Sequence, residues 1–156
     1  MKIFMKEYFQ VFLYFMLFNL SILSVTLTLH EMGHLYIGYL NGCTGKVVLF
    51  DLENNKTYSE IVCDNPINEV ILSLGCYLFV IPFAVLFLLL NMPERNFFYV
   101  IFGLGLSTSS LDILDILNND IIFYLLITLG TFLVIYGEAL LINNRIFMTK
   151  EISVKL

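Results

Sequence analysis

Four apolar stretches, each long enough to cross a bilayer, make up most of the chain. A transmembrane helix needs about 20 mostly apolar residues to span a hydrocarbon core of ~30 Å. Only 13% of the residues are charged, against about 25% in ordinary soluble domains. The sequence therefore predicts an all-α integral membrane protein with a single membrane-embedded domain over residues 1–156. We expect about four transmembrane helices, at about residues 9–40, 67–90, 97–117 and 121–142.

A short β-hairpin is expected between the first and second helices, at about residues 45–63. Two runs with strand character flank an Asn-rich turn there. A hairpin of this size is not stable alone, so it should pack against the bundle or the membrane surface. Cys43 and Cys63 lie at its two ends. A disulfide between them would require an extracytoplasmic loop, and we expect free thiols.

Two further features concern how the spans begin and pack. Asn65 and Pro66 are expected to begin the second span, since asparagine caps helices and proline suits the first helical position. Pro82 should kink that span. The third span carries small residues from Gly103 to Ser110, which should let neighbouring helices approach closely.

Residues 30–34 read His-Glu-Met-Gly-His, and this motif carries the clearest functional signal. The four-residue spacing puts His30 and His34 on one face of a helix, with Glu31 beside the first. Two imidazoles can bind a divalent metal, and a nearby carboxylate can act on its water. The chain has two histidines, both in this motif, at the end of an apolar run where ionisable groups are costly. We predict a metal site, with a chance match on a surface helix as the alternative.

A third metal ligand has to come from elsewhere, because catalytic zinc commonly has three protein ligands. Asp112 and Asp115 lie late in the third span, which runs in the same direction as the first, so they approach the same end of the bundle as the histidines. Asp112 and Asp115 share a helix face. The alternative interpretation of each residue is a carboxylate near the end of the helix that contacts water and binds no metal. Asp112 is preferred because it lies deeper in the apolar run. The other residues with suitable ligand atoms are Glu69, Glu138, Cys43, Cys63 and Cys76.

Two histidines with one carboxylate favour Zn²⁺ over softer metals or magnesium. Glu31 is then predicted to be the catalytic residue, acting as general base and acid. It would take a proton from the zinc-activated water and pass one to the leaving amine. The same ligand types occur in non-haem iron sites, but the helical motif favours a hydrolase.

The motif late in a first membrane helix resembles the site-2 protease family of intramembrane zinc metalloproteases. The segment Ser-Leu-Gly-Cys-Tyr at residues 73–77 is similar to a small-residue segment of that family, and the hairpin agrees with the strands that follow its first helix. The resemblance covers about residues 20–120. It implies a small, reduced member, with Asp112 as third ligand, that cleaves a peptide bond in or next to a membrane-spanning segment. The strand edge at residues 46–50 could hold the extended substrate by β-augmentation.

The surroundings of Asp112 depart from the family pattern, in which Leu-Asp is followed by glycine with proline nearby. Here Ile113 follows, and no proline is near. This departure motivates a second hypothesis, a catalytically inactive peptidase-like membrane protein that acts as a binding partner or regulator. A metal carrier or transporter subunit is a third.

Six of the eight lysines and arginines fall on the side of the two termini if the chain crosses the membrane four times. The positive-inside rule then predicts a multi-pass protein of the cell membrane with cytoplasmic termini. No basic run indicates nucleic-acid binding. The expected partners are the lipid bilayer and a membrane-spanning or membrane-associated peptide substrate.

Overall fold

The computed structural model describes residues 2–51, 56–91 and 94–154. In these ranges the chain forms five α-helices and a two-stranded antiparallel sheet between the first two helices. The elements are α1 (Lys2–Leu40), β1 (Thr44–Asp51), β2 (Lys56–Val62), α2 (Glu69–Leu74), α3 (Tyr77–Leu88), α4 (Phe97–Leu117) and α5 (Asp120–Val154), with a 3₁₀ turn at Glu94–Asn96.

Four segments of the described chain are long and apolar enough to cross a membrane, which confirms the predicted fold class of a multi-pass helical protein with a hairpin. The third span begins and ends where it was predicted. α1 begins earlier than expected, and α5 continues past the expected end at about residue 142 to Val154. The four segments are Phe12–Leu40, Glu69–Leu88, Glu94–Leu117 and Asp120–Asn144.

The second span is not one continuous helix, because it consists of α2 and α3 with an interruption at Gly75 and Cys76. The start predicted at Asn65 was wrong. The Asn68 side chain caps α2 instead, accepting hydrogen bonds from two backbone N–H groups of the first turn at 3.0 and 3.4 Å. α3 continues through Pro82, and the interruption lies before it.

The hairpin has the predicted location, and its base is closed by a disulfide between Cys43 and Cys63. The expectation of free thiols was wrong. The register pairs Thr44 with Val62, so the two cysteines that flank this pair face each other, with Cα atoms 4.2 Å apart. The hairpin packs against the end of α1, where a Cβ on Gly45 would lie 3.0 Å from Leu35 Cδ1.

The small residues of α4 allow close helix packing on two sides, as expected. If Gly103 carried a Cβ atom, that atom would lie 2.9 Å from the backbone nitrogen of Val134 in α5, which is closer than real Cβ atoms come to other atoms. A Cβ on Gly105 would lie 2.7 Å from Val80 Cγ1 in α3. α4 therefore occupies the centre of the bundle, with α5 on one side and α1 and α3 on the other.

An apolar core fills the half of the bundle that lies away from the hairpin. Aromatic rings line it, and the rings of Phe18 in α1 and Phe97 in α4 have centroids 4.5 Å apart. The buried members of this apolar core are Ile22, Val80, Ala84, Phe97, Val100, Ile101 and Leu141.

Candidate metal site

Three parts of the bundle converge at the hairpin end. α1 contributes His30 and His34, α4 contributes Asp112, and the interruption between α2 and α3 contributes Cys76. One ligand atom from each residue lies within 4.8 Å of the other three. This group, which we call the metal cluster, could hold a metal ion.

Three of these atoms form a nearly equilateral triangle. His30 Nε2 lies 3.2 Å from His34 Nε2 and 3.1 Å from Asp112 Oδ2. The distance from His34 Nε2 to Asp112 Oδ2 is 3.3 Å. Zinc bonds of about 2.0 Å in a tetrahedron separate two ligand atoms by about 3.3 Å. The triangle therefore has the dimensions of one face of a tetrahedral zinc site.

Hydrogen bonds on the far side of each ring set which nitrogen faces the metal cluster. His34 Nδ1 lies 2.8 Å from the carbonyl oxygen of Leu72, which can only accept, so Nδ1 carries the proton. Thr108 Oγ1 lies 3.0 Å from the Leu104 carbonyl oxygen, to which it can donate, and 3.2 Å from His30 Nδ1. With the hydroxyl proton on that carbonyl, the Thr108 oxygen accepts from Nδ1–H, and His30 has the same tautomer as His34. Partners of this kind fix ring orientation in metal-binding histidines. In this arrangement both rings present an Nε2 lone pair to the metal cluster.

The third corner of the triangle is the buried carboxylate oxygen Asp112 Oδ2. The two Nε2 atoms lie 3.1 and 3.3 Å from it, and they donate no hydrogen bond to it when both ring protons are on Nδ1. A buried polar atom left unpaired costs about 1–3 kcal/mol, and more when it is charged. Two nitrogen lone pairs and a carboxylate oxygen that face one another are stabilised by a cation between them. The donor set therefore fits Zn²⁺.

The metal cluster is enclosed on all but one side. His30 and His34 expose 3% and 7% of their surfaces, whereas the Asp112 side chain is 28% exposed. Glu31 is buried in the turn between the histidines, and it interacts electrostatically with His34 and Cys76. Solvent can therefore reach the metal cluster from the Asp112 side.

Two glycines explain how α1 comes so close to the interruption in the second span. A Cβ on Gly33 would lie 2.8 Å from Cys76 Cα, a separation that real Cβ atoms do not adopt. A Cβ on Gly75 would lie 2.7 Å from the Gly33 carbonyl oxygen. The missing side chains let the two backbones touch, and this contact brings Cys76 and the Leu72 carbonyl to the histidines.

The remaining predicted ligands lie outside the metal cluster. Asp115 is exposed one turn beyond Asp112, and Glu69 is exposed in the first turn of α2. Glu138 lies on α5, where the Asn19 side chain donates a hydrogen bond to it. Of the three cysteines, Cys76 alone enters the metal cluster among the described residues. Its position after Gly75 in a small-residue segment was the one signal in the sequence that could have singled it out.

No protein-family model matches the chain, and comparisons with curated proteins and with solved structures gave no match. The functional assignment therefore depends on the geometry of the metal cluster and on the sequence motif that supplies two of its members.

Proposed function

We propose that the protein is an intramembrane zinc metalloprotease of the site-2 protease type, with His30, His34 and Asp112 as metal ligands. The observation that carries this proposal is the triangle of Nε2, Nε2 and Oδ2 atoms with sides of 3.1 to 3.3 Å. Glu31, which the motif places between the two histidines, lies beside it. Zinc binding without chemistry would not require a buried carboxylate at that position.

Zinc, when bound, supplies a Lewis acid that polarises a peptide carbonyl and makes water nucleophilic near neutral pH. The chain's own residues perform the proton transfers. A carboxylate oxygen of Glu31 accepts the proton of the attacking water and later donates it to the leaving amine. Thr108 and the Leu72 carbonyl hold the two imidazoles in place meanwhile. The apolar surroundings keep bulk water out and strengthen these electrostatic interactions.

In the part of the chain that the structure describes, β1 pairs with β2 alone, and its other edge at residues 46–50 is a suitable place for the substrate. β1 pairs with β2 along one edge and begins beside Leu35, the residue after His34. Lys46 and Glu60 form an ion pair across the hairpin at 3.0 Å, and this carboxylate raises the pKa of Lys46. A peptide unwound from its helix could pair with the other edge of β1 and present its backbone to the metal cluster.

The disulfide supports a definite orientation in the cell membrane. Disulfides form and persist in oxidising compartments, so the Cys43–Cys63 bond favours an extracytoplasmic hairpin. The lysine and arginine distribution independently favours cytoplasmic termini, which requires the same orientation. The metal cluster then lies toward the extracytoplasmic surface, and the substrate is a membrane-spanning or membrane-associated peptide cut near that surface.

A catalytically inactive peptidase-like protein is the second candidate. The observation that favours it is Cys76, whose sulfur lies where it could complete the ligand set of the metal. Zinc with four protein ligands is typical of structural sites, whereas catalytic zinc keeps one position open.

Membrane-peptide profiles of cells that carry the wild type or Glu31→Gln separate the two candidates. We expect at least one membrane peptide to accumulate in the Glu31→Gln cells, because the variant keeps the ligands and loses the proton acceptor. Glu69→Gln is the matched control, since Glu69 is an exposed glutamate outside the metal cluster. Identical profiles for all three proteins, with zinc still bound, would reject the protease and favour the inactive form.

A further inference from the structure

The Cys76 sulfur lies within reach of Ser109 and of the three proposed metal ligands, and the catalytic scheme above uses neither Cys76 nor Ser109. Its side chain is completely buried, with 0% of its surface exposed. The sulfur lies 3.1 Å from Ser109 Oγ on α4 and within 4.8 Å of the ligand atoms of His30, His34 and Asp112. Ser109 donates its own hydroxyl proton to the Gly105 carbonyl at 2.7 Å, so its oxygen is free to accept the thiol proton.

We propose that Cys76 is an exchangeable fourth ligand that closes the metal site, and that Ser109 holds its sulfur when the site is open. This inference rests on the proposed zinc site and adds a means of regulating it. When sulfur binds the metal, the S–H bond breaks, a sulfur–metal bond forms and the proton is released to solvent. When the sulfur takes up a proton again and returns to Ser109, the fourth position is available to water.

The geometry makes this exchange a small movement. A tetrahedral zinc with Zn–S of about 2.3 Å and Zn–N of about 2.0 Å places sulfur and nitrogen about 3.5 Å apart. The longest separation in the metal cluster is 4.8 Å, so the sulfur needs to shift on the order of 1 Å. In this structure the sulfur lies 3.1 Å from Ser109 Oγ, which is the position the proposal gives it when the fourth metal position is open.

The shift requires only a rotation of the Cys76 side chain. The Cys76 backbone is held in place, since its N–H bonds the Ser73 carbonyl at 3.4 Å and its Cα packs against Gly33. The histidines and Asp112 lie within α1 and α4, so they are held rigidly while Cys76 moves. Thiolate is a preferred zinc ligand, which gives the closed form its stability.

Cobalt substitution tests the proposal by a readout that does not depend on proteolysis. We would load the full-length protein in detergent with Co²⁺ alone and record its absorption and its metal content. A cobalt ion bound to a thiolate has a sulfur-to-metal charge-transfer band in the near ultraviolet. We expect this band in the wild type, and its loss in Cys76→Ser at unchanged cobalt content. Ser109→Ala removes the competing partner, so its band should be stronger than that of the wild type.

The outcomes separate this inference from the proposed function. Cobalt bound without a charge-transfer band in the wild type, or a band that persists in Cys76→Ser, would overturn the role of Cys76 and leave the metal site intact. Failure of the wild type to bind cobalt would overturn both. If Cys76→Ser does not fold, Ser109→Ala still decides, because a band no stronger than that of the wild type contradicts the exchange.

Discussion

The two halves of the bundle are packed by different means. In the apolar core, rings and branched side chains fill the space between α1, α3 and α4, as in the contact of Phe18 with Phe97. At the metal cluster, backbone touches backbone, because Gly33 faces Gly75 with no side chain between them. Between α1, α3 and α4, side-chain volume therefore fills the apolar core, whereas contact between two backbones brings the elements of the metal cluster together.

This difference in packing indicates which half of the bundle tolerates fewer substitutions. Lipid tails are as apolar as leucine, so helices in a bilayer associate through packing and hydrogen bonds and gain little from hydrophobic burial alone. Cores packed by side chains tolerate substitutions that keep roughly the same volume. Ligand atoms 3.1 to 3.3 Å apart do not tolerate such adjustment, since a shift of 1 Å removes a bond to the metal. The sequence is therefore expected to be constrained more strictly at the hairpin end.

The largest effect is expected from Gly33→Ala. The new Cβ would force α1 away from Gly75 and Cys76, and overpacking of this kind costs about 1–3 kcal/mol. We expect the variant to lose stoichiometric zinc and to unfold at a lower temperature in detergent. Met32→Ala is the control, since Met32 is exposed beside it and should leave both properties unchanged. Full zinc content in Gly33→Ala would show that the close approach is not needed.

A smaller effect is expected from Thr108→Val, which keeps the shape of the side chain and removes the hydroxyl that lies 3.2 Å from His30 Nδ1. Loss of a partner that orients a metal-binding histidine typically lowers metal affinity about 10–100-fold. Competition with a chromogenic chelator would measure the zinc Kd. Thr128→Val makes the same chemical change on the exposed surface of α5 and should keep the wild-type Kd. Equal affinities for the two variants would contradict the orienting role.

The smallest effect on the metal site is expected from Phe97→Leu in the apolar core. The lost ring contacts should lower the free energy of unfolding by about 1–2 kcal/mol. Distant sites are nearly additive, to about 0.5 kcal/mol, so the zinc Kd should change by no more than about twofold. Thermal unfolding measures the change in the free energy of unfolding, and zinc titration of the same preparation measures the change in Kd. A large loss of zinc affinity would mean that the two halves are coupled.

Much of the fold follows from local signals in the sequence. The third span has the predicted bounds of α4, because an apolar run between two asparagine-containing turns defines both of its ends. The positions of the histidines on one helix face follow from the helical period alone. The hairpin was predicted from strand-like runs around a turn, which are also local.

The features that escaped prediction depend on contacts between distant segments. The interruption at Gly75 and Cys76 lies where Gly33 presses against the second span, and nothing in the local sequence reports that contact. The disulfide depends on the hairpin register. The sequence favoured Asp112 over Asp115 by its depth in the apolar run, but the distance of Asp112 from the histidines depends on how α4 is rotated about its axis relative to α1.

The zinc content of three purified proteins tests the central claim most directly, namely that His30, His34 and Asp112 together bind zinc. Asp112→Asn and Asp115→Asn make the same change at a metal-cluster position and at an exposed position of α4. We predict about one zinc per chain for the wild type and Asp115→Asn, and a large loss for Asp112→Asn. Zinc retained in full by Asp112→Asn, or lost equally from both variants, would contradict the account.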